Sequence, residues 1–287
     1  MIAEFPPGLL LILGAVLVPF LKGHLRSGYM VLLPLLGLLQ LISLEYGSYG
    51  FMTFVGFEQT HVRVDKLSSI FGYIFYIAAA LGGIFSWHND DWLEKTTAFV
   101  YMGATIGATF AGDLITLFLY WELTAVASAL VIWAARTDKA QKAAFRYLIV
   151  QIMSGMLLLT GVAVYATKTG SIAFDNIGLD SPGGAIILIA FGFKCAFPLL
   201  NNWLQDAYPE ASVTGTVFLS AFTTKLAVYV LARGFAGTEI LIYIGVVMAA
   251  YPIFYAVIEN DLRRVLAYSL NNQLGFMVVG VGIGTSL

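Results

Sequence analysis

The chain has 287 residues, of which 59% are hydrophobic and 11% charged, with a mean hydropathy of +0.84 and a formal charge of -2. Soluble domains hold about 45 to 50% apolar and about 25% charged residues, so lipid rather than water must be the main solvent. The near-neutral balance, with no Lys and Arg cluster, excludes a nucleic-acid partner.

A helix needs about 20 apolar residues to cross about 30 Å of hydrocarbon, because lipid leaves no backbone polar group a partner outside the helix. On that ruler ten transmembrane helices are predicted, running approximately over 6–21, 28–45, 67–86, 96–111, 113–135, 143–167, 184–203, 211–233, 239–258 and 264–284. The first run follows an acidic Glu4 where a secretory signal would carry positive charge, so it reads as a retained helix. Between the second and third spans, Gly50 to Asp65 alternates apolar and polar residues over its second half and predicts a short hairpin at the membrane surface. Only Gly112 and Asp113 separate the fourth span from the fifth.

Basic residues fall unevenly between the two sides. With the N-terminus outside, the inner loops collect Lys22, Arg26, Lys95, Arg136, Lys139, Lys142, Arg146, Arg263 and Arg264, and the outer ones Arg63, Lys66, Lys168 and Arg233. That excess favours this orientation, although the inner loop HNDDWLEK from His88 to Lys95 is acidic. No soluble domain or linker is apparent, so residues 1–287 form one transmembrane domain, divided at 112/113 into N-terminal helices and a repeat that begins at Asp113.

Of the 15 basic and 17 acidic residues, three stand near the middle of a span: Glu122, Lys194 and Lys225. A charge at the bilayer centre costs at least about 2.5 to 3.5 kcal/mol, so such residues face a bundle interior or a hydrated cavity and serve a pathway, unless they form an ion pair that only fixes packing. Burial disfavours the charged form of a lysine and a neighbouring carboxylate favours it, so a Glu and Lys chain can pass a proton when the spacing changes. Pro198 cannot donate to the carbonyl of Lys194, which predicts a helix break there, and Gly192 removes bulk on the other side so that a neighbouring helix or water can approach. Gln151, Thr216, Ser220, Thr224 and Asn271 add a sparse polar set able to hold water, although each taken singly also suits an interhelical hydrogen bond. Cys195 is the one cysteine, and His24, His61 and His88 lie in separate predicted loops without metal-ligand spacing. Neither a metal nor a cofactor is expected.

The stretches VDKLSSIFGY, DLITLFLYWEL, FGFKCAFPLLNNWLQDAYPEASVTGTVFLSAFTTKLAVYVLARG and ENDLRRVLAYSLNNQLGFM, in that order, resemble the antiporter-like membrane subunits shared by Mrp-type multisubunit Na+/H+ antiporters and respiratory complex I. Within them, DAYPEA and SAFTTKLAVYVLAR lean towards the D-type Mrp subunit. The resemblance implies an all-α fold of inverted five-helix repeats with a broken seventh helix, and a proton path in which Glu122 and Lys194 interact and Lys225 relays beyond them. It also implies partner membrane subunits in the cell (inner) membrane, with H+ and Na+ as the transported ions. An alternative is a proton-pumping subunit of an NADH:quinone oxidoreductase, and a third reading is a structural subunit without its own conduction. Two departures stand out. The family's histidine after the broken helix is missing from PLLNNW, and the chain ends with the tenth helix where the family commonly continues to about fourteen, which implies a truncated or split subunit.

Overall fold

The computed structural model describes residues 5–285 except Val55; Glu4 and the last two residues, which figure in the sequence reading, lie outside the described residues. In chain order the elements are α1 (Leu9–Gly14) continued by a 3-10 segment Ala15–Phe20, α2 (Gly23–Ser43), β1 (Gly47–Phe54), β2 (Phe57–Val64), α3 (Lys66–Phe85), α4 (Trp92–Thr109), α5 (Leu114–Trp133), α6 (Asp138–Thr169), α7 (Gly184–Lys194), α8 (Asn202–Ala207), α9 (Val213–Gly234), α10 (Ile240–Ile258) and α11 (Leu262–Ile283). Six of them, α2, α3, α5, α6, α9 and α10, are long and apolar enough to cross a membrane. Helices α4 and α11 are long but polar in part, and Leu9–Phe20 and α7 are apolar but short.

Local chemistry explains where the helices begin. Asp65, Asp91, Asp113, Thr137, Ser212 and Asp261 each accept a backbone N–H in the first turn of the helix that follows, and Asp65 and Ser68 form a reciprocal capping box. The acidic character of the HNDDWLEK loop is thereby partly spent on starting α4. Helix α4 is central, packed against α1, α3, α5 and α9, with 14 of its 18 residues buried. A helix enclosed by protein has no lipid-facing stripe to keep apolar, which is why Glu94, Lys95 and four threonines are tolerated in it. Its small residues permit the crowding: a Cβ added at Gly107 would run into the Tyr120 ring of α5.

Three expectations need correction. The chain is not wholly helical, because β1 and β2 form an antiparallel hairpin in register from Gly47↔Val64 to Phe54↔Phe57; it begins before Gly50 and leaves Asp65 outside as the α3 cap. It seals the α4–α5 junction, with Gly112 N–H donating to the Thr60 carbonyl at 3.0 Å and Thr60 N–H to the Asp113 carboxylate at 3.1 Å. Lys95 is not a loop residue. It lies in the first turn of α4, 1% exposed, and donates to Ser27 Oγ at 2.8 Å, while Glu94 beside it is equally buried and accepts from Ser212 and Thr214 at the start of α9. Nor are the histidines confined to loops, since His24 lies in α2 and His61 in β2.

Candidate proton-transfer site

The site lies where α5, α6 and α7 meet, well inside the bundle. Glu122 stands eight residues after Leu114, about 12 Å along α5, and Lys194 closes α7 about 15 Å from its start. Lys194 is 0% exposed. Its Nζ donates to the Trp121 carbonyl at 2.9 Å and stands 4.0 Å from the centroid of the Trp121 ring. A desolvated cation–π contact contributes about 2 kcal/mol and a hydrogen bond from a charged group about 1.5 to 3, together comparable to the about 2.5 to 3.5 kcal/mol cost of a charge at membrane depth. Trp121 therefore provides a seat for an ammonium group without a carboxylate in contact.

The structure does not bring Glu122 and Lys194 into direct contact; among the described residues no ion pair joins them. The Glu122 carboxylate instead lies against the backbone of Gly155 on α6, so close that a Cβ there would overlap Oε1, and this buried oxygen accepts no hydrogen bond from the protein. Gln151, one turn away on α6, is 1% exposed and has neither end of its carboxamide paired within the protein. Ser154 ties the same face together, accepting from Trp121 Nε1 at 3.1 Å and donating to the Ala190 carbonyl of α7 at 2.8 Å. Glu122 and Lys194 thus border one polar patch without pairing.

Helix α7 stops at Lys194, and the chain between it and α8 is irregular. Cys195 N–H still reaches Phe191 at 2.8 Å, but Phe197 N–H folds back to the Gly192 carbonyl at 2.9 Å, and Ala196 and Leu199 take φ values of 58° and 71°. Left-handed backbone costs about 1 to 2 kcal/mol for each residue with a Cβ. Two such residues flanking Pro198 concentrate strain beside the buried amine. The reading of Gly192 changes here, because the missing side chain makes room for the Phe197 ring of the break itself and not for another helix.

Lys225 lies on α9, which packs on α7, about 18 Å from the start of its helix. Partly buried, it turns back along α9, donating to the Ser220 carbonyl at 2.8 Å with Thr224 Oγ1 at 3.5 Å, and makes no hydrogen bond to Lys194 or Glu122. Thr216 is engaged near the start of α9, accepting from Arg263 at 2.7 Å and donating to the Tyr208 carbonyl at 2.8 Å. Ser220 donates to its own helix at Val217, and Asn271 on α11 is fully buried with its carboxamide unpaired. Of the polar set, only Gln151 lies on the α5–α6–α7 patch; the others border α9 and α11.

Sequence reasoning missed Trp121 and Gly155, whereas Ser154 already stands beside Gln151 among the polar residues of the sixth span. Gln151, Ser154 and Gly155 follow i, i+3, i+4 spacing and share one face of α6, but a glycine is an ordinary packing residue in a membrane helix.

Comparisons with known proteins bear on the family and the fold. Residues 111–287 match the family described as NADH:quinone oxidoreductase/Mrp antiporter, transmembrane. The chain is similar to the D subunit of the Na(+)/H(+) antiporter of Alkalihalophilus pseudofirmus, 25% identical over 96% of this chain and 62% of that protein. It is also similar to NAD(P)H-quinone oxidoreductase chain 4 1 of Synechococcus elongatus, 28% identical over 79% of this chain and 46% of the other. The chain thus spans less than two thirds of the length of these relatives. A chain in the structure of the Mrp complex from a Dietzia species shares the fold, with a TM-score of 0.87 and 23% identity over 97% of this chain and 34% of that one.

Proposed function

The chain belongs to the NADH:quinone oxidoreductase/Mrp antiporter transmembrane family, and we propose that it moves protons as an antiporter-like subunit of a multisubunit membrane complex, exchanging them for a monovalent cation such as Na+. The observation that carries this reading is Lys194, a fully buried amine at a strained helix break, seated on Trp121 and not on the carboxylate next in sequence. An amine already locked in an ion pair has little reason to give up its proton, whereas one held by a carbonyl and an aromatic face can exchange with Glu122 when the break shifts. Gln151, with both ends of its amide free of protein partners, suits water between the two. Lys225 serves as the relay beyond Lys194, and Thr216, Ser220, Thr224 and Asn271 supply hydroxyl and amide groups along α9 and α11.

On the same reading the helices form ten membrane spans, counting α1 with its 3-10 continuation and α7 with α8 as one each, arranged as an inverted five-helix repeat in the cell (inner) membrane. A complex I type role, in which the same residues move protons for a redox-driven pump, draws support from the similarity to the quinone oxidoreductase chain. A purely structural role for the charges is disfavoured because Glu122 and Lys194 are not paired. The test is Na+-driven proton movement in vesicles carrying the assembled complex. Glu122→Gln is expected to slow it about 10- to 100-fold at unchanged complex yield; full transport with lowered stability would support the structural role instead. Proton movement on NADH addition and none on a Na+ pulse would assign the chain to the redox pump.

A further inference from the structure

Where α4 packs on α9 lies a group of buried hydroxyls that the proton path described above does not use. Tyr101 of α4 and Thr223 of α9 are both 0% exposed, and the Tyr101 ring meets Phe222 edge-on with 5.6 Å between centroids. A buried tyrosine hydroxyl needs a hydrogen-bond partner, and Tyr101 finds its own in the backbone of α9. The Thr223 N–H donates to Tyr101 Oη at 2.7 Å, Tyr101 Oη donates to the Leu219 carbonyl at 3.3 Å, and Thr223 Oγ1 stands 2.6 Å away. Leu219 and Thr223 are four residues apart, the acceptor and donor of one rung of an α-helix. The Tyr101 hydroxyl therefore stands across that rung, about 15 Å from the start of α9 and in the turn that carries Lys225.

Two other buried tyrosines nearby behave differently. Tyr229 of α9 donates to the Thr109 carbonyl of α4, and Tyr208, between α8 and α9, donates to the same Leu219 carbonyl at 3.0 Å. Each takes up a spare lone pair of a carbonyl and leaves the helical N–H groups alone. Tyr101 takes an N–H as well. A side chain that enters an i→i−4 ladder spreads the turn and bends the helix. The next carbonyl along, that of Ser220, accepts from Lys225 Nζ at 2.8 Å, with Thr224 Oγ1 at 3.5 Å from the same amine. A helical side chain leans towards the N-terminus of its helix, so a carbonyl tilted off the axis of a spread turn falls within its reach.

We infer that Tyr101 is a positioning residue for Lys225: its hydroxyl, set between the Leu219 carbonyl and the Thr223 N–H, spreads this turn of α9 and presents the Ser220 carbonyl as the seat of the Lys225 ammonium. The inference rests on the proton-conducting reading for its effect on flux but not for the seat itself, and the two separate experimentally. In the assembled complex, Tyr101→Phe keeps the ring and its packing on Phe222 and removes only the hydroxyl. A cryo-EM structure of that variant is expected to show Lys225 Nζ withdrawn beyond hydrogen-bond distance of the Ser220 carbonyl. Na+-driven proton flux should fall about threefold, and the same substitution added to Lys225→Met should change flux less than about 1.5-fold, because residues that act through one another are not additive. Tyr208→Phe is the control: it removes a comparably buried hydroxyl from the same Leu219 carbonyl without touching Thr223, and should leave both the Lys225 contact and the flux near the parent. Lys225 still seated on Ser220 in Tyr101→Phe would overturn the positioning role whatever the fluxes. Equal slowing by Tyr208→Phe, or by Tyr101→Phe with and without Lys225, would overturn it too, since the hydroxyls would then serve packing alone. A withdrawn Lys225 with unchanged flux would overturn the part of this seat in transport. A withdrawn Lys225 in a complex whose flux is indifferent to Lys194→Met would leave the seat standing and remove the proton reading instead.

Discussion

Two buried basic residues in this molecule are treated in opposite ways. Arg233, near the end of α9 and 8% exposed, is answered in full: two hydrogen bonds of 2.8 Å to Asp65, one of 2.8 Å to Tyr229 Oη, and the faces of Tyr229 and Phe174 alongside. Asp65 is held in turn by Ser68 and Arg63, and Arg63 reaches Asp175. Lys194 has a carbonyl and a ring, and the nearby carboxylate of Glu122 is left with an unpaired oxygen. A saturated cluster binds α9 to the loops around it. An unsaturated one, next to strained backbone, can change partners. Buried charge alone therefore does not identify a transport site, whereas incomplete pairing separates the two regions.

Substitutions that sharpen this contrast differ in size and in readout. The largest effect on stability is expected at Arg233→Met, which leaves Asp65 without its main partner and should cost about 3 kcal/mol in unfolding of the detergent-solubilised complex. A loss below about 0.5 kcal/mol would mean that the outer cluster holds nothing. Gly155→Ala should come next: the added methyl meets the Glu122 carboxylate directly, and displacing that group is expected to lower proton flux about tenfold, or about 1.4 kcal/mol, with the complex still assembled. Lys225→Met should slow flux severalfold at most, because this amine is only partly buried and bonded to its own helix. A further effect is one of pH. Burial alone would raise the Asp65 carboxyl, but hydrogen bonds from Arg233 and Ser68 outweigh it and hold the group at about 2, below the ordinary 3.8. The stability it adds is thus complete above about pH 4 and lost as pH falls from 4 towards 2, a dependence that Asp65→Asn should abolish in acid-titration melts.

The two regions were not equally legible in the sequence. Glu122, Lys194 and Lys225 stand alone inside apolar runs, where any ionisable residue is conspicuous. Arg233, Glu94 and Lys95 lie at the ends of such runs, where a linear reading assigns them to loops, and only the packing of α4 against its neighbours and of Asp65 against α9 shows them buried. Trp121 and Gly155 did not stand out as site residues because their roles depend on one carbonyl, one ring face and one absent methyl, and the spacing of Gly155 from Gln151 and Ser154 is shared by ordinary packing glycines. Pro198 marks the irregular stretch after α7, but the return of Phe197 onto Gly192 is a tertiary contact. The hairpin showed through the alternation of its second strand, although its first strand, GSYGFMTF, lacks a regular alternation and begins before Gly50.

Lys194→Met offers the most direct measurement, made on the assembled complex with proton flux and thermal stability read from the same preparation. An unpaired buried amine kept for transport predicts at least a hundredfold loss of flux with stability unchanged or raised, since an apolar side chain of similar length relieves the cost of the charge. Flux near the parental rate, or a stability loss as large as that of Arg233→Met, would contradict the account.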